Sequence, residues 1–146
     1  MSLDAFHRGL ARLVSDPGLV KRTRQGDAGW LRDLGLTTSE MGRLRRMAAD
    51  ERMAVMCSLY RSNRLTALVR TVPEVVEALG RRLESSVSEF WTSHPRRDMQ
   101  FRSEGEAFCR FIRVRYPQDF ALQAAVNQAE VALAASYDRA PNPRPG

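Results

Sequence analysis

Histidine and cysteine are nearly absent from this chain, with two of each in 146 residues. His7 and His94 have no Cys, His or carboxylate at a ligand-like spacing, so a metal site supplied by this chain alone is not expected. Cys57 and Cys109 lie far apart and match no disulfide or zinc pattern, which points to a reducing, cytoplasmic setting. No apolar run approaches the roughly 20 residues that span a bilayer, so no membrane partner is expected. The start Met1-Ser2-Leu3-Asp4 lacks a basic stretch and an apolar stretch, so no signal peptide is expected. The glycines are isolated, which excludes a glycine-rich phosphate loop, and period-2 alternation is missing, which argues against strands.

Lysine is the last scarcity. Lys21 stands alone against twenty-two arginines, within a net charge of +6. A GC-rich genome accounts for such a bias without any function, but its distribution is uneven. Residues 37–72 hold seven arginines against three acids, whereas residues 73–116 hold eight against seven. The basic excess suits an acidic peptide, an acidic protein surface or nucleic acid.

What is present is helical patterning: apolar residues recur at spacings of three and four. The chain is expected to be all-α, a compact multi-helix bundle of about six to eight helices. One helical domain over 1–137 and a disordered, proline-rich tail over 138–146 are expected. The first helix runs from Leu3 to Val14, with Leu3, Phe6, Leu10, Leu13 and Val14 inward. Ser15-Asp16-Pro17 starts a second, which reaches Arg24, and Asp27 caps a turn that carries Trp30, Leu31 and Leu34 to Gly35. Thr37 and Glu40 have capping-box spacing, with Leu36 and Met41 as a hydrophobic staple. The helix behind them points Arg43, Arg45 and Arg46 outward.

From Met53 to Val69, Met53, Met56, Cys57, Tyr60 and Leu68 form a buried stripe with Arg61 and Arg64 on its margin. Pro73 opens a helix that ends at Gly80; Leu83, Val87, Phe90 and Trp91 line the next, which stops at His94-Pro95. After a polar connection over 96–102, Ser103 and Glu106 give a second capping box ahead of Phe108, Phe111 and Ile112. Pro117 opens the last helix, with Leu122, Val126, Ala129 and Leu133 on its apolar side.

Few residues suggest chemistry. The two cysteines read as buried small hydrophobes, and Glu74, Glu77, Glu84 and Glu89 as a solvated face without a paired catalytic site. Arg61, Asn63 and Arg64 on one helix suit directional hydrogen bonds to a partner's carboxylates or backbone. The alternative is structural, with Arg61 and Asn63 tying the helix to neighbouring loops, including the one near His94.

Residues 55–112 resemble the N-terminal helical domain of the partner proteins of multinuclear non-heme iron-dependent oxidative enzymes, which act in the maturation of ribosomally made peptides, including methanobactin. The features that carry the resemblance are Tyr60-Arg61-Ser62-Asn63, the Val-Pro-Glu-Val-Val-Glu core leading to Gly80, the aromatic pair before His94-Pro95, and Gly105-Glu106-Ala107-Phe108 followed by Phe111. The resemblance implies a non-catalytic accessory subunit that holds no cofactor. Such a subunit docks on an iron oxidative enzyme and helps present a precursor peptide, with Tyr60, Arg61, Asn63, Arg64 and His94 as partner-binding residues. In that family a β-rich domain implicated in engaging the peptide often follows; from Pro117 onward this sequence reads instead as one alanine-rich helix and a tail. Some members carry an older label as DNA-binding domains. A DNA-binding regulator using arginines around 43–46 and 61–64 is accordingly the alternative.

Overall fold

The computed structural model describes residues 3–94 and 100–138, and these are all-α, with eight α-helices, two short 3-10 helices and no strand among them. Expected residues of the C-terminal tail beyond Asp138, and Pro95, lie outside the described residues. The helices are α1 (Leu3–Ser15), α2 (Pro17–Arg24), α3 (Thr38–Ala49), α4 (Arg52–Thr71), α5 (Pro73–Leu79), α6 (Leu83–Ser93), α7 (Phe101–Arg115) and α8 (Phe120–Asp138). The 3-10 helices are Gly29–Leu34 and Gly80–Arg82. Contacts gather into two compact units, one up to Asn63 and one from Arg64 onward. The boundary falls within α4.

The first unit is built on strong local signals. Asp16 caps α2 by accepting from the Leu19 N–H at 3.0 Å, and Pro17 supplies the preset first helical residue. Thr37 and Glu40 form the full capping box: Thr37 Oγ1 accepts from the Glu40 N–H, and Glu40 Oε2 accepts from the Thr37 N–H at 2.8 Å. The core gathers Leu13, Leu19, Val20, Ala28, Leu31, Leu44, Ala48, Met53 and Cys57. Trp30 packs on it and donates its Nε1–H to Thr23 Oγ1 at 3.1 Å, which satisfies a half-buried indole. Arg24 closes the carbonyl end of α3, donating from Nε to Ala48 O at 2.5 Å and from Nη2 to Asp50 O at 3.0 Å. Three expectations fail here. Leu3 is exposed, because only Ala5, Gly9 and Leu13 of α1 are fully buried. Met56 is exposed as well, since the inward side of α4 is taken by its neighbour Cys57 and by Met53. The Gly29–Leu34 turn follows Ala28 without a side-chain cap, so Asp27 does not cap it.

In the second unit α8 packs chiefly on α5 and α7. Its buried line Leu122, Val126, Ala129 and Leu133 follows the expected spacing and joins Leu68, Val72, Val75, Leu79, Val87, Phe90, Trp91, Phe108, Cys109 and Ile112 in one core. Gly80 ends α5 at a φ of 52°, a backbone region that a Cβ disfavours. Three boundaries differ from the sequence reading. The helix expected from Pro117 starts at Phe120, because Asp119 accepts from the Leu122 N–H at 3.0 Å and caps it there. Ser103 and Glu106 form no capping box, since α7 already begins at Phe101; Glu106 instead accepts from Arg102 at 2.7 Å one turn back. Phe101 and Arg102 therefore belong to a helix rather than to the expected polar connection.

Candidate functional site

The α4 sequence delivers one guanidinium into an apolar core. Cys57, Arg64 and Leu68 recur at spacings of seven and four, so they follow one side of the helix, and Arg64 is 1% exposed. It was expected on the margin of the stripe, but it is the largest fully buried side chain among the described residues. Its Nε donates to Glu104 Oε1 at 2.6 Å, and its Nη2 donates to the His94 carbonyl at 2.8 Å. Glu104 lies in the first turn of α7, where the helix end favours negative charge, and His94 lies at the carbonyl end of α6, which favours positive charge. The guanidinium thus bridges two helix ends of opposite polarity. Its planar fork suits this double engagement better than an ammonium would. The Phe90 and Trp91 rings complete the enclosure, with the Arg64 Cζ 5.4 and 5.7 Å from their centroids.

An aromatic cluster adjoins this ion pair. Phe90 stacks on the His94 ring at 4.9 Å, meets Phe108 edge-on at 5.1 Å and lies 5.4 Å from Phe111. His94 keeps an exposed side chain, with Nδ1 2.8 Å from Ser93 Oγ. Gly105, beside Glu104, is required by close approach: a Cβ there would lie 2.4 Å from Thr71 Oγ1.

The five residues singled out from sequence divide between the units. Arg64 and His94 meet in the second. Tyr60, Arg61 and Asn63 belong to the first and are half-buried. Arg64, next in sequence to Asn63, ties to the His94 carbonyl. Sequence reasoning passed over Glu104 because its partner is 40 residues away and no local spacing marks the pair.

Arg61 lines a different feature. A groove of about 520 Å³ in the first unit is bounded by Pro17, Val20, Lys21, Arg24 and Gln25 of the α2 region and by Ala54, Cys57, Ser58 and Arg61 of α4. Lys21 and Arg24, both exposed, are further residues that sequence reasoning missed; the basic α2 segment was the available signal.

Neither thiol is activated. Burial pushes the Cys57 thiol up, only partly offset by Arg61 and Arg24, and its Sγ lies 3.5 Å from Leu13 O. Burial pushes Cys109 up to about 12, with Glu130 acting in the same direction. Glu77, Glu84 and Glu89 are exposed, and Glu89 pairs with Arg115 at 3.0 Å; Glu74 departs from the expected solvated face, being half-buried. Among the described residues no three His, Cys, Asp or Glu side chains gather as a metal site, and no helix is long and apolar enough to cross a membrane. Compared with protein-family models, curated proteins and solved structures, the chain matches none.

Proposed function

We propose that this chain is a non-catalytic accessory subunit that docks on a multinuclear non-heme iron-dependent oxidative enzyme and helps present a precursor peptide for modification. The observation that supports this reading best is the use made of the resemblance-bearing residues. Arg64, directly after Tyr60-Arg61-Ser62-Asn63, grips the carbonyl of His94 and the carboxylate of Glu104, which precedes Gly105-Glu106-Ala107-Phe108. Phe90, Phe108 and Phe111 pack together beside that ion pair. His94 and the start of the 105–108 segment are therefore held together in the second unit through Arg64 and Glu104, while Tyr60-Arg61-Ser62-Asn63 lies in the first. Two buried thiols with raised pKa values also fit a chain whose chemistry belongs to a partner.

Co-expression with an iron oxidative enzyme encoded beside this chain tests the proposal. A complex that survives size-exclusion chromatography at micromolar concentration, and faster modification of the precursor peptide in its presence, are expected. Separate elution with an unchanged modification rate overturns it.

A second reading, a DNA-binding regulatory protein, draws on the exposed Arg43, Arg45 and Arg46 of α3. It requires duplex binding that weakens steeply with salt, with a log–log slope of about −0.9 for each phosphate neutralised. The first reading requires no such binding.

A further inference from the structure

We propose that the outer face of α8 pairs with the same face of a second copy of this chain, the two helices running antiparallel. Over residues 120–136 no exposed residue of α8 is charged, whereas each of α1 to α7 exposes at least one charged side chain. Phe120 is 83% exposed and Val131 71%, both on the side of the helix away from its buried line Leu122, Val126, Ala129 and Leu133. Ala124 and Ala135 are exposed on the same side, and Asn127 and Gln128 flank the face at its middle. Glu130 is half-buried and paired with Arg113 at 2.6 Å, and Arg113 also donates to Asn127 Oδ1 at 2.9 Å, so the charges at the edge of the face neutralise each other.

Charge and pattern both select a second copy. The chain carries a net charge of +6, so two copies repel each other through most of their surface. The uncharged face of α8 adds nothing to that repulsion. Its pattern is also self-complementary. With the midpoint of the pair between Asn127 and Gln128, Phe120 of one copy lies opposite Ala135 of the other, and Ala124 lies opposite Val131. Each large side chain then meets a small one. The amides of the two copies, which both donate and accept, gather at the centre. The two-fold relation makes every match twice. A parallel pair instead sets Phe120 against Phe120 and alanine against alanine, which leaves voids at the alanines and aligns the two helix dipoles.

The size of the face sets the strength of the pair. It is about 25 Å long and about 10 Å wide, so each copy contributes on the order of a few hundred Å². That falls short of the roughly 800 Å² per partner of a stable complex. The dimer is therefore weak and reversible, with a dissociation constant on the order of 100 μM. This self-association stands apart from docking on an oxidative enzyme.

Sedimentation equilibrium of the full chain, over concentrations about tenfold either side of that value, is expected to show a monomer–dimer equilibrium. A monomer throughout overturns the proposal. Val131→Glu, with an unchanged thermal melt, is expected to weaken the dimer at least about tenfold, because it sets a carboxylate against an apolar surface. Val55→Glu places the same charge on an exposed apolar residue of α4 and is expected to leave the dimer within about twofold of the unaltered chain. A loss from Val55→Glu as large as that from Val131→Glu overturns the assignment to α8. The register has its own test. The Ala124→Glu and Val131→Lys variants, each weakened alone, are expected to regain affinity at least about tenfold when mixed, since position 124 of one copy meets position 131 of the other. No recovery on mixing overturns the antiparallel pairing. Failure of these measurements leaves the co-elution experiment with the oxidative enzyme unaffected, so the two proposals fail separately.

Discussion

Arg64 and Glu104 form a buried ion pair across 40 residues of sequence, with Nε 2.6 Å from Oε1 and side chains 1% and 4% exposed. Two charges withdrawn from water cost several kcal/mol each unless attraction and further hydrogen bonds repay the loss. Here the His94 carbonyl and two aromatic faces supply part of that repayment.

Removing one partner alone is therefore expected to be severe. Arg64→Ala or Glu104→Ala strands the other charge and should cost about 3–5 kcal/mol. Arg64→Met combined with Glu104→Leu should cost much less than the sum of the single changes, because no charge remains to be stranded. Chemical denaturation of the four proteins checks this. Additive losses would show that the pair is not coupled as the geometry requires.

Gly105 makes a second, steric prediction. A Cβ at this position would lie 2.4 Å from Thr71 Oγ1 and 3.0 Å from Thr71 Cβ, and Thr71 is itself held by a 2.6 Å hydrogen bond to the Ala67 carbonyl. Gly105→Ala should destabilise by about 1–3 kcal/mol through overpacking, despite alanine's better helix propensity. Adding Thr71→Ala removes the nearest atom and should recover part of the loss. A neutral or stabilising Gly105→Ala in urea melts would contradict the close approach.

Acid and alkali should each weaken the fold, for opposite reasons. Glu40 and Asp119 are held below their ordinary values by backbone N–H donors first, and Asp50 is lowered from 3.8 to about 2 by the Arg52 side chain first. A depressed carboxylate stabilises the fold above its unfolded pKa and loses that contribution as pH falls through the folded value. The acid window thus runs from about 4.5 down to about 2. Cys109 is raised from 9.0 to about 12 by burial, so it stays neutral in the fold while the unfolded thiol ionises. Its contribution is complete below about 9 and is lost as pH rises towards about 12. Thermal midpoints across pH should fall at both ends. Asp50→Asn should flatten the lower acid limb, and Cys109→Ala the alkaline one; unchanged limbs would refute these assignments.

The parts of this fold legible in sequence were those fixed within a few residues. Thr37 with Glu40, Asp16 with Pro17, Gly80, and the spacing of Leu122, Val126, Ala129 and Leu133 all act locally, and each lies where its pattern put it. Ser103 with Glu106 had the same spacing as a true box but lies inside α7, because a helix starts where its whole first turn is favourable and not at a matching pair. The candidate site was less legible. Helical periodicity places Arg64 near the stripe, but charge argues for the margin, and only the distant Glu104 and His94 turn the residue inward. The groove cations failed to stand out for a similar reason: Lys21 and Arg24 come from α2 and Arg61 from α4, and no sequence spacing joins them.

The last prediction separates two arginines that are neighbours by spacing. Arg61 and Arg64 are three apart, which on a helix surface suggests a single cationic grip. Their surroundings differ, since Arg61 borders an open groove and Arg64 is sealed among Phe90, Trp91 and Glu104. Arg61→Ala should therefore destabilise less than Arg64→Ala, because a half-buried guanidinium keeps contact with water whereas a sealed one does not. Arg64→Ala should lower the melting point strongly with no ligand present. Replacing Arg64 by lysine should not restore it, because an ammonium lacks the fork that engages Glu104 and the His94 carbonyl together. Thermal melts of the three single variants check this. Equal melting losses for Arg61→Ala and Arg64→Ala, or full rescue by Arg64→Lys, would mean that the two side chains share one role.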